Sequence, residues 1–103
     1  MTQRIGRRTR LKPEAIGAYR EWHAAVWPAL LALNTEAGIR NYSIFIDGVD
    51  LFSYLEVDDL EKAIASLSKS DVARSWQRLM APLMDSEDAV NPWTLLEEVF
   101  HQN

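Results

Sequence analysis

The chain has 103 residues, a formal net charge of −4 at pH 7 and no cysteine, and its length predicts one domain, residues 1–103, with its own core. The lack of cysteine excludes disulfides and thiolate metal sites, and the acidic balance argues against general nucleic-acid binding. Because no apolar run approaches the roughly 18 residues of a membrane span and the basic N-terminus lacks a signal-like apolar stretch, we expect a cytoplasmic protein with no membrane contact.

The first predicted element is a strand over residues 4–11, with Ile5, Thr9 and Leu11 on one face. Five basic side chains and no acidic one lie within the first 12 residues. This basic run has two interpretations: an arm that contacts phosphate, or an edge strand whose arginines are solvated or paired with acidic residues. We favour the edge strand, because edge strands commonly use charge to block misassociation.

A long helix is predicted over residues 13–36, because apolar residues recur there at steps of three and four. His23 lies inside this stripe, which consists of Ile16, Tyr19, Val26, Trp27, Leu30 and Leu33. Pro28 has no N–H to donate to the carbonyl of Ala24, so we expect the helix to be kinked or interrupted just beyond His23.

A hairpin is predicted next, with strands at residues 41–46 and 51–57 around the turn signal Asp47-Gly48. Both faces of its second strand are partly apolar. Leu51, Leu55 and Val57 point one way, whereas Phe52 and Tyr54 point the other.

Two further helical segments are expected, separated near residues 68–70. The first is capped by Asp58 or Asp59, and the second by Ser70 or Asp71. The expected buried side of the first is Leu60, Ala63, Ile64 and Leu67, and that of the second is Val72, Trp76, Leu79 and Met80. The polar segment DSEDAVNP then forms a loop, and WTLLEEVF is predicted to be the last strand.

This β-α-β-β-α-β order predicts an α+β fold, a ferredoxin-like sandwich of the dimeric α/β-barrel type, with both helices on one face of the sheet. The opposite face is partly apolar and has no helix to cover it. A homodimer that packs sheet against sheet is the simplest cover, so we expect one.

Tyr19, His23 and Trp27 share one helical face, because they are four residues apart. A histidine in an apolar stripe is often a core residue bonded to one carbonyl. An imidazole with an ordinary pKa near ~6.5 is also the natural proton shuttle at neutral pH. The periodicity of the sequence favours neither the core histidine nor the proton shuttle. His101, the second histidine, is expected at an exposed strand end.

The aromatic residues are compatible with a core or with a sugar pocket, in which aromatic faces pack against the C–H face of a pyranose. In a sugar pocket, Tyr42 would face the helix stripe and Trp76 would supply a stacking wall. A metal site is not expected, because the two histidines are distant in sequence and no carboxylates cluster beside them. The four glycines are isolated, so no phosphate loop is predicted.

The segments YREWHAAVWPAL, NYSIFID, DVARSWQRLM and LLEEVF resemble the L-rhamnose mutarotase family over nearly the whole chain. The resemblance implies a ferredoxin-like fold, a dimer, and interconversion of the anomers of a 6-deoxy-L-sugar without a cofactor. It implies that His23 is the proton donor and that Tyr19, Tyr42 and Trp76 bind the monosaccharide.

Three departures from the family pattern accompany the resemblance. Family members typically carry a second tryptophan where this chain has Gln77, and the acidic segment 85–92 replaces an Asn-Pro-Asp-rich loop. The first strand is also unusually rich in arginine. We expect Trp27 to be a wall of the pocket, and Gln77 remains a possible contact.

Three alternative functions stay open at this point. Related sequences are thought to act on L-fucose, so an L-fucose mutarotase is one. A small dimeric α/β-barrel monooxygenase, in which His23 ligates haem or acts as a base, is another. The third is a non-catalytic oligomerisation or ligand-binding module. Fold does not separate these functions, and the pattern of Tyr19, His23 and Trp27 with Tyr42 and Trp76 favours the rhamnose mutarotase.

Overall fold

The computed structural model describes residues 2–87 and 91–103. The strands are β1 (Gln3–Arg10), β2 (Ile39–Asp47), β3 (Asp50–Val57) and β4 (Thr94–Leu96). The α-helices are α1 (Ile16–Ala24), α2 (Pro28–Glu36), α3 (Leu60–Ser68) and α4 (Asp71–Met80), with 3₁₀ turns at Pro13–Ala15 and Ala81–Leu83. Residues 88–90 of the predicted loop lie outside the described residues.

The four strands form one antiparallel sheet in the order β2-β3-β1-β4, which confirms the ferredoxin-like prediction. The expectation that β1 is an edge strand is wrong. It pairs with β3 along its whole length and with β4 at Gly6, Arg7 and Arg8, so β2 and β4 form the edges.

Two of the four arginines of β1 are nevertheless paired with acidic residues, as expected. Arg4 contacts Glu98 at 2.7 Å, and Arg10 contacts Asp50 at 3.1 Å. Both side chains are solvent-accessible, so each pair contributes little to stability. Arg7 differs from them because it lies on the other face of β1, under the helices.

The predicted helix over residues 13–36 is two helices of nine residues each, preceded by a 3₁₀ turn. The interruption expected at Pro28 is confirmed: α1 ends at Ala24, and α2 begins at Pro28. Trp27 has an extended backbone (φ −57°, ψ 128°), as the residue before a proline prefers. The two segments therefore point in different directions and do not share one continuous stripe.

The predicted hairpin is confirmed, and Gly48 adopts the positive φ (+61°) that its tight turn requires. A β-bulge in β2 shifts the register between Arg40 and Ser43, with Asn41 at φ +51°. Asparagine tolerates this conformation better than most residues. The extra residue inverts the alternation between the two ends of β2, and Tyr42 faces the helices while Ser43 faces away.

The buried apolar residues form two clusters under the helices. The first contains Leu11, Tyr19, Leu51, Met80 and Met84, and the second contains Leu55, Val57 and Ala63. Both clusters use the face of β3 that was predicted to point inward. Ser53 lies between them on β3, opposite Arg7 of β1, so the two clusters are separated by polar side chains.

The opposite sheet face, which we call the open face, exposes apolar side chains. Phe45 and Phe52 form a cross-strand pair and are 63% and 41% exposed. Leu96 on β4 and the residues Val99 and Phe100 are exposed as well. Within the described ranges, no helix has the length and apolar character needed to cross a bilayer. The cytoplasmic location expected from the sequence stays a prediction.

Two details of the predicted elements are wrong. The last strand covers only Thr94–Leu96 instead of eight residues, because its pairing with β1 stops at Gly6. Ile64, expected to be buried, is 58% exposed. The α3 helix contacts the core through Ala63, and the step of about 100° to the next residue turns Ile64 towards solvent.

Shortening Leu51 should strongly destabilise the fold, whereas shortening Ile64 should not. Leu51 is fully buried in the first cluster, so Leu51→Ala should lower the free energy of unfolding by about 2–5 kcal/mol. Ile64→Ala is the matched control on an exposed site and should change it by less than about 0.5 kcal/mol. Urea unfolding followed by circular dichroism measures both, and equal losses would contradict this assignment of the core.

Candidate functional site

Two adjoining cavities lie between the helices and the sheet. The larger has a volume of about 440 Å³, and His23, Tyr42 and Trp76 contribute to its lining. The smaller, of about 330 Å³, is lined in part by Tyr19 and again by His23. Ile44 lines both cavities. The structure thus brings Tyr19, Tyr42 and Trp76 together at these two adjoining cavities, which share His23.

The last turn of α1 holds the imidazole of His23 in a defined orientation. Its Nδ1 lies 2.9 Å from the carbonyl oxygen of Tyr19. Since a carbonyl oxygen only accepts hydrogen bonds, Nδ1 carries the proton, and Nε2 of the neutral ring keeps its lone pair. The ring also stacks on the Tyr19 ring, with centroids 4.1 Å apart.

Burial lowers the pKa of His23 below its ordinary value, and the hydrogen bond to the Tyr19 carbonyl opposes this shift only partly. Burial has this effect because it disfavours the charged imidazolium. At neutral pH, His23 is therefore an uncharged base whose Nε2 can accept a proton.

Tyr19 is buried beside His23, and burial raises the pKa of its hydroxyl far above the ordinary range. The neighbouring Tyr42 raises this pKa further, and Arg7 lowers it only slightly. Tyr19 therefore keeps its proton at any physiological pH, so its hydroxyl can bind a ligand but is a poor proton source.

Three tryptophans pack together beside the site, and one of them lines it. The indole of Trp76 packs edge-to-face against His23 at 5.3 Å and against Trp27 at 5.1 Å. Trp76 lines the larger cavity, whereas the described lining of neither cavity includes Trp27. Trp22, which sequence reasoning missed, packs against both of these tryptophans. The break between α1 and α2 brings Trp22 and Trp27 together, and its only sequence signal is Pro28.

Arg7 is the second residue that sequence reasoning missed. Its Nη2 donates to the Tyr42 hydroxyl at 2.7 Å, and its Nε donates to Ser53 Oγ at 3.2 Å. The guanidinium also lies over the ring of Trp93, 4.6 Å from the centroid. The sequence signal was present, since Arg7 alternates with Ile5 and Thr9 on the inward face of β1.

Gln77 follows Trp76 on α4 and is half-buried. The described part of the chain gives Gln77 no place in the lining of either cavity. Its role in binding stays a prediction.

The site offers one neutral base, tyrosine hydroxyls and aromatic faces. Its charged neighbours are cationic: Arg40 lines the larger cavity, and Arg20 lines the smaller one. Among residues 2–87 and 91–103, no three His, Asp or Glu side chains are grouped so that they could hold a metal ion. This combination suits the binding of a polyhydroxylated molecule and the transfer of its protons.

The chain matches the model of a protein family described as L-rhamnose mutarotase over residues 4–102. It is 38% identical to the L-rhamnose mutarotase of Ligilactobacillus salivarius, and the match covers 98% of each chain. The crystal structure of L-rhamnose mutarotase from Formosa agariphila superposes with a TM-score of 0.83 at 30% identity, covering 98% of this chain and 99% of that one. A crystal structure of an antibiotic biosynthesis monooxygenase has a TM-score of 0.59 at 16% identity and covers 96% and 99%, so this likeness is one of fold alone.

The measured pKa of His23 should lie below the ordinary histidine value of about 6.5, because burial disfavours the imidazolium. An NMR titration of the imidazole signals should show this midpoint, with the His23 signal assigned by its loss in His23→Gln. The unfolded chain binds the proton more readily, so this contribution to stability is present above pH ~6.5 and declines as pH falls through the folded pKa. A midpoint at or above ~6.5 would contradict the expectation.

Proposed function

The chain belongs to the L-rhamnose mutarotase family of isomerases, and from that premise we propose that it interconverts the α and β anomers of L-rhamnose. In this proposal, His23 is the acid/base group of ring opening and closure. The observation that carries the proposal is a neutral imidazole whose Nε2 lone pair is available in a cavity of about 440 Å³.

Ring opening requires two proton transfers. Nε2 of His23 removes the proton of the anomeric hydroxyl, and the electron pair of the O1–H bond forms the second bond of the C1=O1 carbonyl. The C1–O5 bond breaks, and its electron pair on O5 takes a proton from a second group. Rotation about C1–C2 then presents the other carbonyl face. On closure, the O5 hydroxyl attacks C1 and returns its proton to the second group, while the carbonyl oxygen O1 takes the proton held by the imidazolium of His23. One such group contributes about 10²–10⁴-fold.

We propose that Trp76 and Tyr42 hold the sugar between helix and sheet. The indole face suits the C–H face of a pyranose, and the tyrosine hydroxyl suits a sugar oxygen. Tyr19 supplies a protonated hydroxyl from the adjoining cavity. Ile44 lines both cavities and offers an apolar surface to the methyl group of a 6-deoxy-hexose, whose preference over a hydroxymethyl group is worth about 1–3 kcal/mol.

L-Fucose is the alternative substrate, because it is also a 6-deoxy-L-hexose. It differs from L-rhamnose in the configuration of ring hydroxyls, which polar contacts must distinguish. Comparison of the two sugars in one assay therefore decides between them.

We also propose that the protein is a homodimer formed through the open face. This face exposes Phe45 and Phe52 as a pair on β2 and β3 and Leu96 on the far edge strand β4, whereas the helices cover the opposite face. Contiguous exposed apolar surface marks an interaction site. A second copy of the same sheet would cover it symmetrically.

Replacing His23 should abolish most of the catalysis without unfolding the protein. Anomeric exchange of L-rhamnose, L-fucose and D-glucose is measured by saturation-transfer NMR. The wild type should accelerate exchange of L-rhamnose most, and His23→Ala should lower that rate about 10²–10⁴-fold. His101→Ala is the matched control, since His101 is exposed near the C-terminus, and should keep the wild-type rate.

Two results would contradict the proposed function. If the wild type accelerated none of the three sugars, the mutarotase activity would be refuted. If folded His23→Ala kept the wild-type rate, the mutarotase activity would be supported, but the proposed acid/base role of His23 would be refuted.

A charge on the open face should separate the dimer. Light scattering after gel filtration should give about twice the chain mass of 11.8 kDa for the wild type. Phe45→Glu should reduce this to one chain mass, because it places a carboxylate in the interface beside Phe52, which cannot pair with it. Ile64→Glu is the control, as Ile64 is an exposed apolar residue on α3, and should leave the dimer intact. A monomeric wild type would refute the dimer.

A further inference from the structure

The guanidinium of Arg7 lies under the helices and not on the solvated face of the sheet. It is half-buried and held by Ser53, Tyr42 and the face of Trp93. All three partners are uncharged. Among the described residues, ion pairs form at Arg4, Arg10, Arg40 and Arg74, and no carboxylate lies within ion-pair distance of Arg7. Partly burying a cation among neutral partners costs folding free energy. A functional role would explain why the chain keeps an arginine at this position.

The contact with Tyr42 fixes the direction of hydrogen bonding at the tyrosine oxygen. An arginine side chain can only donate, so at 2.7 Å the phenol oxygen accepts from Nη2. The single proton of the hydroxyl then points away from the guanidinium. The positive charge also favours negative charge on the oxygen that it contacts. Tyr42 is thereby arranged to donate its proton to a ligand in the larger cavity, which it lines together with His23.

Tyr19 is not arranged in this way. It is buried, its ring stacks on His23, and burial makes loss of its proton unfavourable. Tyr42, by contrast, is 40% exposed, and its hydroxyl touches a cation. Of the two tyrosines at the site, Tyr42 is therefore the one whose hydroxyl is partly exposed and also bonded to a cationic donor.

We infer that Arg7 is a positioning residue which makes Tyr42 the second proton-transfer group, opposite His23. This inference rests on the proposed mutarotase function. On opening, the proton of the Tyr42 hydroxyl passes to O5 as the C1–O5 bond breaks, while Nε2 of His23 holds the proton taken from O1. The phenolate is stabilised by the hydrogen bond from Arg7. On closure, O5 returns its proton to Tyr42 and the imidazolium protonates O1, so the enzyme regains its starting state.

A double-mutant cycle in the L-rhamnose exchange assay tests the inference. Tyr42→Phe should lower kcat about 10²-fold or more, and Arg7→Met should lower it about 10-fold to 100-fold. In both variants KM should change much less than kcat. The double variant should be no slower than Tyr42→Phe alone, because Arg7 acts only through the Tyr42 hydroxyl. Arg7→Lys should recover part of the loss, since it restores a charged donor without the planar fork.

Arg10→Met is the matched control. Arg10 lies on the same strand and pairs with Asp50 on the open face, so this variant should keep the wild-type kcat. If Arg7→Met does not fold, as judged by circular dichroism, Arg7→Gln takes its place in the cycle.

Two results would overturn the inference while leaving the proposed function intact. Both assume that the wild type is active and that His23→Ala is not. The first is an unchanged kcat in folded Tyr42→Phe. The second is a multiplicative effect, in which loss of Arg7 slows Tyr42→Phe as much as it slows the wild type. A wild type without activity on L-rhamnose would overturn both proposals together.

Discussion

A half-buried guanidinium must find hydrogen-bond acceptors, and this requirement shapes the centre of the molecule. Arg7 reaches across Ser53 to Tyr42, so three adjacent strands contribute to one polar row beneath the helices. The apolar core is divided on either side of this row into two clusters. The larger cavity meets this row at Tyr42, whose hydroxyl can bond a polar ligand or water there.

The helical layer provides the complementary half of the site. Because Pro28 cannot continue the hydrogen-bond ladder of α1, the chain turns at residues 25–27 and starts a new helix. This turn leaves His23 at the end of α1 and lets Trp27 pack behind Trp76. The imidazole is thus oriented by a carbonyl one helical turn earlier and by two rings. A base held in this way loses little entropy when the substrate binds.

Much of this arrangement could be predicted from the sequence, because local rules dominate there. The turn at Gly48, the break at Pro28 and the inward face of β3 follow from backbone chemistry and alternation. Ile64 and the end of the last strand were mispredicted, because burial and pairing depend on neighbours distant in sequence.

The site residues follow the same rule: those with a local sequence pattern were predicted, and those that depend on contacts distant in sequence were missed. The four-residue spacing pointed to Tyr19 and His23, which line the cavities, and to Trp27, which packs behind Trp76. The role of Arg7 was missed although its alternation with Ile5 and Thr9 marks the inward face, because the arginine-rich composition of β1 suggested a solvated edge strand, and β1 in fact lies between β3 and β4. The bond from Arg7 to Tyr42 joins residues 35 positions apart, a relation that no local pattern contains.

The bulge at Asn41 has a consequence for how this segment can evolve. The hairpin register directs Tyr42 and Ile44 towards the helices. Arg40 keeps its own pairing with Glu56, and the bulge takes up the one residue by which the two ends of β2 differ in phase. Loss of Asn41 would therefore join the two ends without turning Tyr42 out of the site, so homologues that lack one residue at this point should keep the activity, whereas homologues that lack the Tyr42 hydroxyl should not.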